Sequence, residues 1–252
     1  PRLDCGESGS TLRFLIPIAL AVRGGGVFTG RGRLMERPQK PYFDLFDEKG
    51  IRYEQSEGML AVEGTLPPGV YRLPGSVSSQ FVTGLLYALP LLEDSSEIVL
   101  TTPLESRSYV DMTLEALDRF GVAVEQKPEG FRVPGRQAYA PAEAEVEADW
   151  SQAAFWLAAA SLGSAVSVEG LRRDSLQGDR AVVSHLERLE RSGEAELDVS
   201  DCPDLLPPLS AAAALGRGTA HFTNAARLRI KESDRLASIT AALTALGADV
   251  EE

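Results

Sequence analysis

The sequence predicts an α+β protein of repeated α/β units, with helices buried inside and strands outside. Three observations carry this. Four times a small polar cluster opens a strongly apolar run, at Ser8, Ser78, Ser151 and Asp204. Each run is followed by a β-like segment (GVFTG, SEIVLTT, SAVSVEG, GTAHFTN) and then by an amphipathic stretch (KPYFDLFDEKG, SYVDMTLEALDRFG, RAVVSHLERLERSG, DRLASITAALTALG). The apolar runs carry no charged side after their first turn, so the helices they form are buried all round. A doubly wound parallel sheet would instead put its fully apolar elements in strands.

The second helix of each unit is amphipathic; Val110, Leu114 and Leu117 share one stripe. These helices close with an apolar residue four places before a glycine, in Phe46/Gly50, Leu117/Gly121, Leu243/Gly247 and, by the same pattern, Leu189/Gly193. Glycine suits that place because it adopts the left-handed conformation of a helix C-cap without penalty. Alternating segments such as Ile51–Glu54 and Val122–Glu125 then read as strands. The unit starts lie 70, 73 and 53 residues apart, so the third interval is short. The deficit falls between Arg188 and Asp204, which leaves room for one strand, Glu196–Val199, where the other units fit a hairpin. A break is expected between Glu190 and Glu194, with Gly193 on its far side. Two domains are expected, 1–146 and 147–252, joined near Glu145–Asp149.

Composition excludes several classes. With 252 residues, 44% hydrophobic and 25% charged, the chain is long enough for two ordinary cores. No apolar run is long enough to span a membrane. Two cysteines, Cys5 and Cys202, make no disulfide scaffold, and with His185 and His221 they make no convincing zinc set. A net charge of −12 argues against nucleic acid as a partner. No signal peptide is visible, and the chain opens Pro-Arg-Leu-Asp-Cys without an initiating Met, so a segment of a longer chain, incomplete at both ends, is expected.

The polar clusters sit where buried helices begin. A helix start presents free N–H groups and a partial positive charge, which suits an anion; the bland alternative is capping by serine. Gly6–Arg13 combines small residues with one arginine, and Gly75–Gln80 combines hydroxyls with an amide. Arg33, Arg107, Lys231 and Arg235 fall at matching places; for each, a solvated face is the competing reading. In Lys-Glu-Ser-Asp-Arg, Lys231 and Arg235 would share a face if helical, with Glu232 beside them. A Lys–Glu pair beside an anion site can move protons. Asp204 either caps its helix or aims a carboxylate into the same cleft.

Seven segments in order, LDCGESGSTLRF, GRGRLMERP, VPGSVSSQF, LESRSYVDMTL, SLQGD, DVSDCPDLLPPLSAAAALG and RLRIKESDRL, together resemble the 5-enolpyruvylshikimate-3-phosphate synthase (3-phosphoshikimate 1-carboxyvinyltransferase) family over the whole chain. The resemblance implies an enolpyruvyl transferase-like inside-out barrel of βαβαββ units, three per domain, with the site between two domains. This chain has room for fewer than four such units. The family's early Lys-Ser-x-Ser-x-Arg segment and its late arginine and lysine have no counterpart here, and Glu7 stands where Asn is commoner.

The implied reaction joins phosphoenolpyruvate to the 5-hydroxyl of shikimate 3-phosphate and releases phosphate, without metal or other cofactor, in a cytoplasmic monomer. By resemblance Ser78, Ser79 and Ser106 hold the shikimate phosphate, and Gln80 and Tyr109 lie along the ring. Asp204 accepts a ring hydroxyl, Lys231 bridges substrate groups, and Glu232 delivers a proton to the phosphoenolpyruvate methylene. Gly9, Arg33 and Arg235 surround phosphoenolpyruvate, and glyphosate-type analogues sit against Gly9. Arg13 is expected to support the first helix start. Rival readings are a relative acting on UDP-N-acetylglucosamine, which generally uses a loop cysteine, and a fragment that binds anionic substrate without turnover.

Overall fold

The computed structural model describes residues 1–191 and 193–252. It forms two compact units, Pro1–Ala144 and Glu145–Glu252. The break expected between Glu190 and Glu194 falls on Ser192, which lies outside the described residues.

The first unit repeats one βαβαββ pattern twice. The first copy comprises β1 (Arg2–Asp4), α1 (Gly9–Arg23), β2 (Gly25–Thr29), α2 (Lys40–Lys49), β3 (Arg52–Ser56) and β4 (Met59–Glu63). The second comprises β5 (Val70–Leu73), α3 (Ser79–Ala88), β6 (Ser96–Leu100), α4 (Arg107–Arg119), β7 (Glu125–Lys127) and β8 (Gly130–Val133). Their sheets run β1-β2-β4-β3 and β5-β6-β8-β7, each with a parallel first pair and antiparallel pairs after it. The expected strand Val122–Glu125 starts late: only Glu125 belongs to β7, and the buried Val122 packs in the core ahead of it.

Helices α1 and α3 form the centre, with Leu12, Ile16, Leu20, Phe81, Leu85 and Leu86 almost wholly buried. Ser8 caps α1 by accepting from Thr11 N–H at 3.1 Å. Gly50, Gly121 and Gly247 carry the positive φ that the glycine pattern requires, and Gly24 does the same at the end of α1. Pro17 inside α1 has no N–H to give the carbonyl of Arg13. Tyr42 of α2 replaces it: its hydroxyl donates to Arg13 O at 2.8 Å and lies 3.1 Å from Phe81 O of α3. Burial pushes the Tyr42 hydroxyl far above the ordinary phenol range, Arg13 offsetting only part of this, so it stays a donor. Gly84 of α3 lies opposite, where a Cβ would run into both Tyr42 Oη and Arg13 O. The missing donor, the tyrosine and the glycine thus lock three helices together.

The second unit comprises α5 (Trp150–Ser161), α6 (Val182–Arg191), β9 (Glu194–Asp198), α7 (Leu206–Leu215), β10 (Thr219–Thr223) and α8 (Arg235–Ala245), with β9 and β10 pairing in parallel. Two expectations fail here. The segment SAVSVEG (164–170) is not a strand. In the first unit the equivalent β2 and β6 each sit between two partners; among the described residues of the second unit no strand flanks this segment, and an unpaired strand leaves its backbone groups unsatisfied. Helices α5 and α7 are also not buried all round: Phe155 and Trp156 of α5 are 50% and 58% exposed and Leu215 of α7 is 73% exposed, since among the described residues of this unit the only sheet is the two-stranded β9–β10 pair. The α5 start is braced instead. Asp149 caps it, accepting from Ser151 N–H at 2.8 Å, and Gln177 of the SLQGD segment accepts from Trp150 N–H and donates to Ala148 O.

His185 and Cys202 lie in the second core, His185 Nε2 being 3.7 Å from Cys202 Sγ. Burial first, then Arg188, holds the imidazole below its ordinary value, with Asp198 opposing. A depressed folded value means the neutral form is the one the fold accepts. The stability it gives is full above the unfolded value near 6.5 and is lost as pH falls from there through the folded value. Both tryptophans, Trp150 and Trp156, belong to this unit. Tryptophan-monitored urea unfolding at pH 7.5 and 5.5 is expected to show a lower midpoint at pH 5.5, and His185→Gln is expected to flatten the difference.

Candidate active site

In the first unit the two copies of the repeat bring four loops toward the starts of α1 and α3. The loop before α1 meets the loop after β2 through Arg31 N–H donating to Gly6 O at 2.7 Å. The loop before α3 meets the loop before α4: Ser76 N–H donates to Thr102 Oγ1 at 3.1 Å, and Glu105 N–H to Gly75 O at 3.2 Å. Gly75 permits this, since a Cβ there would lie 2.8 Å from the Thr102 and Pro103 carbonyl oxygens.

One side-chain network joins the two loop pairs. Arg13 donates to Gln80 Oε1 at 2.8 Å and to Pro38 O at 3.0 Å, and its guanidinium lies over the Phe81 ring at 4.6 Å. Gln80 in turn donates to Ser10 Oγ at 2.8 Å. Arg13, only 3% exposed, therefore holds the Gln80 amide from one side while Ser10 holds it from the other. The expected support role of Arg13 at the helix start is extended by this link to α3.

Ser78 caps α3, its hydroxyl 3.4 Å from Gln80 N–H, and Ser79 is the first, buried residue of that helix. Ser106 precedes α4 with φ 54 and ψ 46, a left-handed conformation that a non-glycine residue holds at a cost. Tyr109 N–H donates to Ser106 O at 3.1 Å, and Tyr109 O accepts from Thr113, whose hydroxyl reaches Thr83 of α3 at 3.0 Å. Hydrogen bonds thus link Ser78 and Gln80 to the start of α1, and Ser106 and Tyr109 through Thr113 and Thr83 to α3, while Gly9 and Ser79 are the first residues of α1 and α3. Arg33 is exposed at the turn after β2. Arg107 follows the bland reading: more than half exposed, it pairs with Asp111 and donates to Gln126.

The second unit gathers Asp204, Glu232 and Arg235. Arg235 donates to Asp204 Oδ1 and, at 3.2 Å, to Glu232 Oε2. Burial alone would lower the guanidinium, but the bonds and charges of Asp204 and Glu232 outweigh it and hold it above its ordinary value. Two readings are corrected. Asp204 is not a cap: it lies in the short turn Pro203–Leu205, α7 begins at Leu206 with no side-chain cap, and the carboxylate turns to Arg235. Lys231 does not share a helix face with Arg235, because α8 begins only at Arg235, capped by Asp234, and Lys231 lies in the extended lead-in.

The sequence reading missed Arg37, a buried arginine whose guanidinium rests on Gly9. Its place in GRGRLMERP gave no signal, since nothing in a one-dimensional pattern marks an arginine as buried. Both thiols are buried; burial pushes Cys5 up, and burial first, with Asp179, Asp201 and Asp198, pushes Cys202 up to about 12. Among the described residues no group of three or more His, Cys, Asp or Glu side chains is placed to hold a metal ion.

The family model for EPSP synthase (3-phosphoshikimate 1-carboxyvinyltransferase) matches residues 1–252. The chain belongs to the EPSP synthase family. Among curated members, the 3-phosphoshikimate 1-carboxyvinyltransferase of Clostridium kluyveri is 47% identical, matching 100% of this chain and 63% of its own length. That of Clostridium acetobutylicum is 46% identical over 99% of this chain and 62% of its own length. The chain therefore spans less than two thirds of the EPSP synthase relatives it matches. The C. kluyveri match runs over 270 positions, 18 more than the 252 residues of this chain. That excess has the size of the shortfall in the third unit interval. An EPSP synthase structure from Acinetobacter baumannii shares the fold, with TM-score 0.68 and 23% identity, covering 98% of this chain and 61% of that one. Among the described residues no helix is long and apolar enough to cross a membrane.

Proposed function

We propose that the chain supplies the shikimate 3-phosphate-holding part and the acid–base carboxylates of a cytoplasmic, monomeric EPSP synthase of aromatic amino acid biosynthesis. The observation that carries this reading is the framework of Ser10, Arg13 and Gln80, which ties the starts of α1 and α3 into one polar face beside Ser78, Ser79 and Ser106. Two substrates bearing two phosphates and two carboxylates need positioned cations and N–H groups, which accounts for arginines collected at helix starts in an acidic chain.

In this reading Ser78, Ser79 and Ser106 bind the phosphate of shikimate 3-phosphate, and Gln80 and Tyr109 lie along its ring. Asp204 takes the proton of the 5-hydroxyl as its oxygen bonds to C2 of phosphoenolpyruvate, and Glu232 delivers a proton to C3, giving a tetrahedral adduct. Loss of phosphate and of one C3 proton then restores the enol ether. Lys231 bridges substrate groups and shares in proton transfer, and Gly9, Arg33 and Arg235 surround phosphoenolpyruvate. No metal or other cofactor enters these steps. Both cysteines are buried and burial raises each thiol, which disfavours the rival that needs a reactive loop cysteine.

The chain's 63% share of its relative favours a second reading for the isolated chain: binding without turnover. Calorimetry with shikimate 3-phosphate, paired with a phosphate-release assay after adding phosphoenolpyruvate, separates them. Binding with release that Glu232→Gln abolishes supports the enzyme; binding without release supports the binding fragment; no binding refutes both.

A further inference from the structure

We propose that Arg37 is a positioning residue for the anion-binding face, and that its seat requires glycine at position 9. The inference rests on the proposed function only for the role of Arg33 and Gln80; the seating itself is a packing claim.

A Cβ built on Gly9 would lie 2.6 Å from Arg37 Nη1, 2.9 Å from Cζ and 3.1 Å from Nη2. Real Cβ atoms do not approach heavy atoms that closely, so any side chain at 9 moves the guanidinium. The guanidinium ends a flexible side chain, but it has little room to move: Arg37 is only 6% exposed. Gly9 is the first residue of α1, with helical backbone and no positive φ. Glycine is therefore required there for space and not for backbone conformation.

What Arg37 positions follows from its backbone. Its N–H donates to Arg33 O at 3.2 Å and lies 3.3 Å from Leu34 O, closing the turn that presents Arg33. The next residues, Pro38 and Gln39, are those Arg13 holds: Pro38 O accepts from Nη2, and Gln39 Oε1 lies 3.5 Å from Nε. Arg13 is also the group that fixes Gln80. Arg37 thus stands between the first turn of α1 and both the turn carrying Arg33 and the anchor of Gln80. A methyl at 9 acts on the face through Arg37, not only by filling ligand space.

A double-mutant cycle on this chain tests the claim. Gly9→Ala is expected to lower the melting temperature of the first unit by about 4 °C, followed by amide signals of α1 and α3. Arg37→Met removes Cζ and both Nη atoms, and Gly9→Ala in that background is expected to cost less than about 1 °C. Equal losses in the two backgrounds overturn the proposal. Should Arg37→Met not fold, the Arg37 Nε–Hε resonance decides: it shifts in Gly9→Ala if the guanidinium is displaced, and an unmoved resonance overturns the proposal. In the same samples, Gly9→Ala is expected to weaken shikimate 3-phosphate binding about 10-fold in the Arg37 background. A wild-type chain that binds no shikimate 3-phosphate refutes the proposed function, while the melting cycle still judges the seating of Arg37.

Discussion

Gly84→Ala is expected to destabilise the first unit by about 3 kcal/mol, the cost of overpacking plus a displaced buried hydrogen-bond donor. The new methyl enters the space of Arg13 O and Tyr42 Oη together. Arg13 O is main chain in α1 and yields only if α1 moves. Tyr42 Oη yields only by leaving the carbonyl that Pro17 already deprives of its helical donor. The cost is therefore larger than for a glycine facing a flexible side chain. Because both tryptophans lie in the second unit, fluorescence does not follow this change; amide hydrogen exchange does. Exchange of the central α1 and α3 amides is expected to quicken about 100-fold, and Tyr42→Phe to give a smaller acceleration of about 10-fold. Unchanged exchange in Gly84→Ala would mean that the two helices do not pack as described.

Arg13→Met is expected to cost about 3 kcal/mol, through Gln80 Oε1 and Pro38 O left without their charged donor and a lost cation–π contact with Phe81. Arg13→Lys keeps the charge, but a single ammonium cannot match the guanidinium's fork to Gln80 and Pro38, so an intermediate loss is expected. The functional consequence follows from the same contacts. With Arg13 gone, Gln80 retains only Ser10, and its amide is free to rotate. Shikimate 3-phosphate affinity is expected to fall at least about 10-fold in Arg13→Met, beyond the loss from unfolding, when both are measured at a temperature where the variant is folded. Loss of stability with affinity intact would separate Arg13 from the site.

The repeat and its helix ends are legible in the sequence because their signals are local. A glycine four residues beyond an apolar position marks the ends of α2 and α4 whatever packs on them, and Gly50 and Gly121 carry the positive φ that pattern requires. The polar openings Ser8, Ser78 and Asp204 likewise mark the approaches to α1, α3 and α7. What was not legible depends on partners distant in the chain. Whether SAVSVEG forms a strand is decided by strands on either side of it, and whether Phe155 is buried is decided by a covering sheet. Lys231 and Arg235 have helical spacing, yet Asp234 caps α8 just before Arg235, and a capping residue cannot lie inside the helix it starts. Arg37 and Tyr42 are hidden for the opposite reason: each looks ordinary in its own segment, and its role comes from a glycine or proline elsewhere in the chain.

The central claim is that the starts of α1, α3 and α4 form one anion-binding face in the first unit. Amide chemical-shift mapping during titration of the chain with shikimate 3-phosphate tests it most directly. The account predicts saturable shifts concentrated at residues 9–11, 78–80 and 106–109, weakening as salt is raised. No saturable shifts, or shifts confined to the strands β3 and β7 at the far edges of the two sheets, would contradict it.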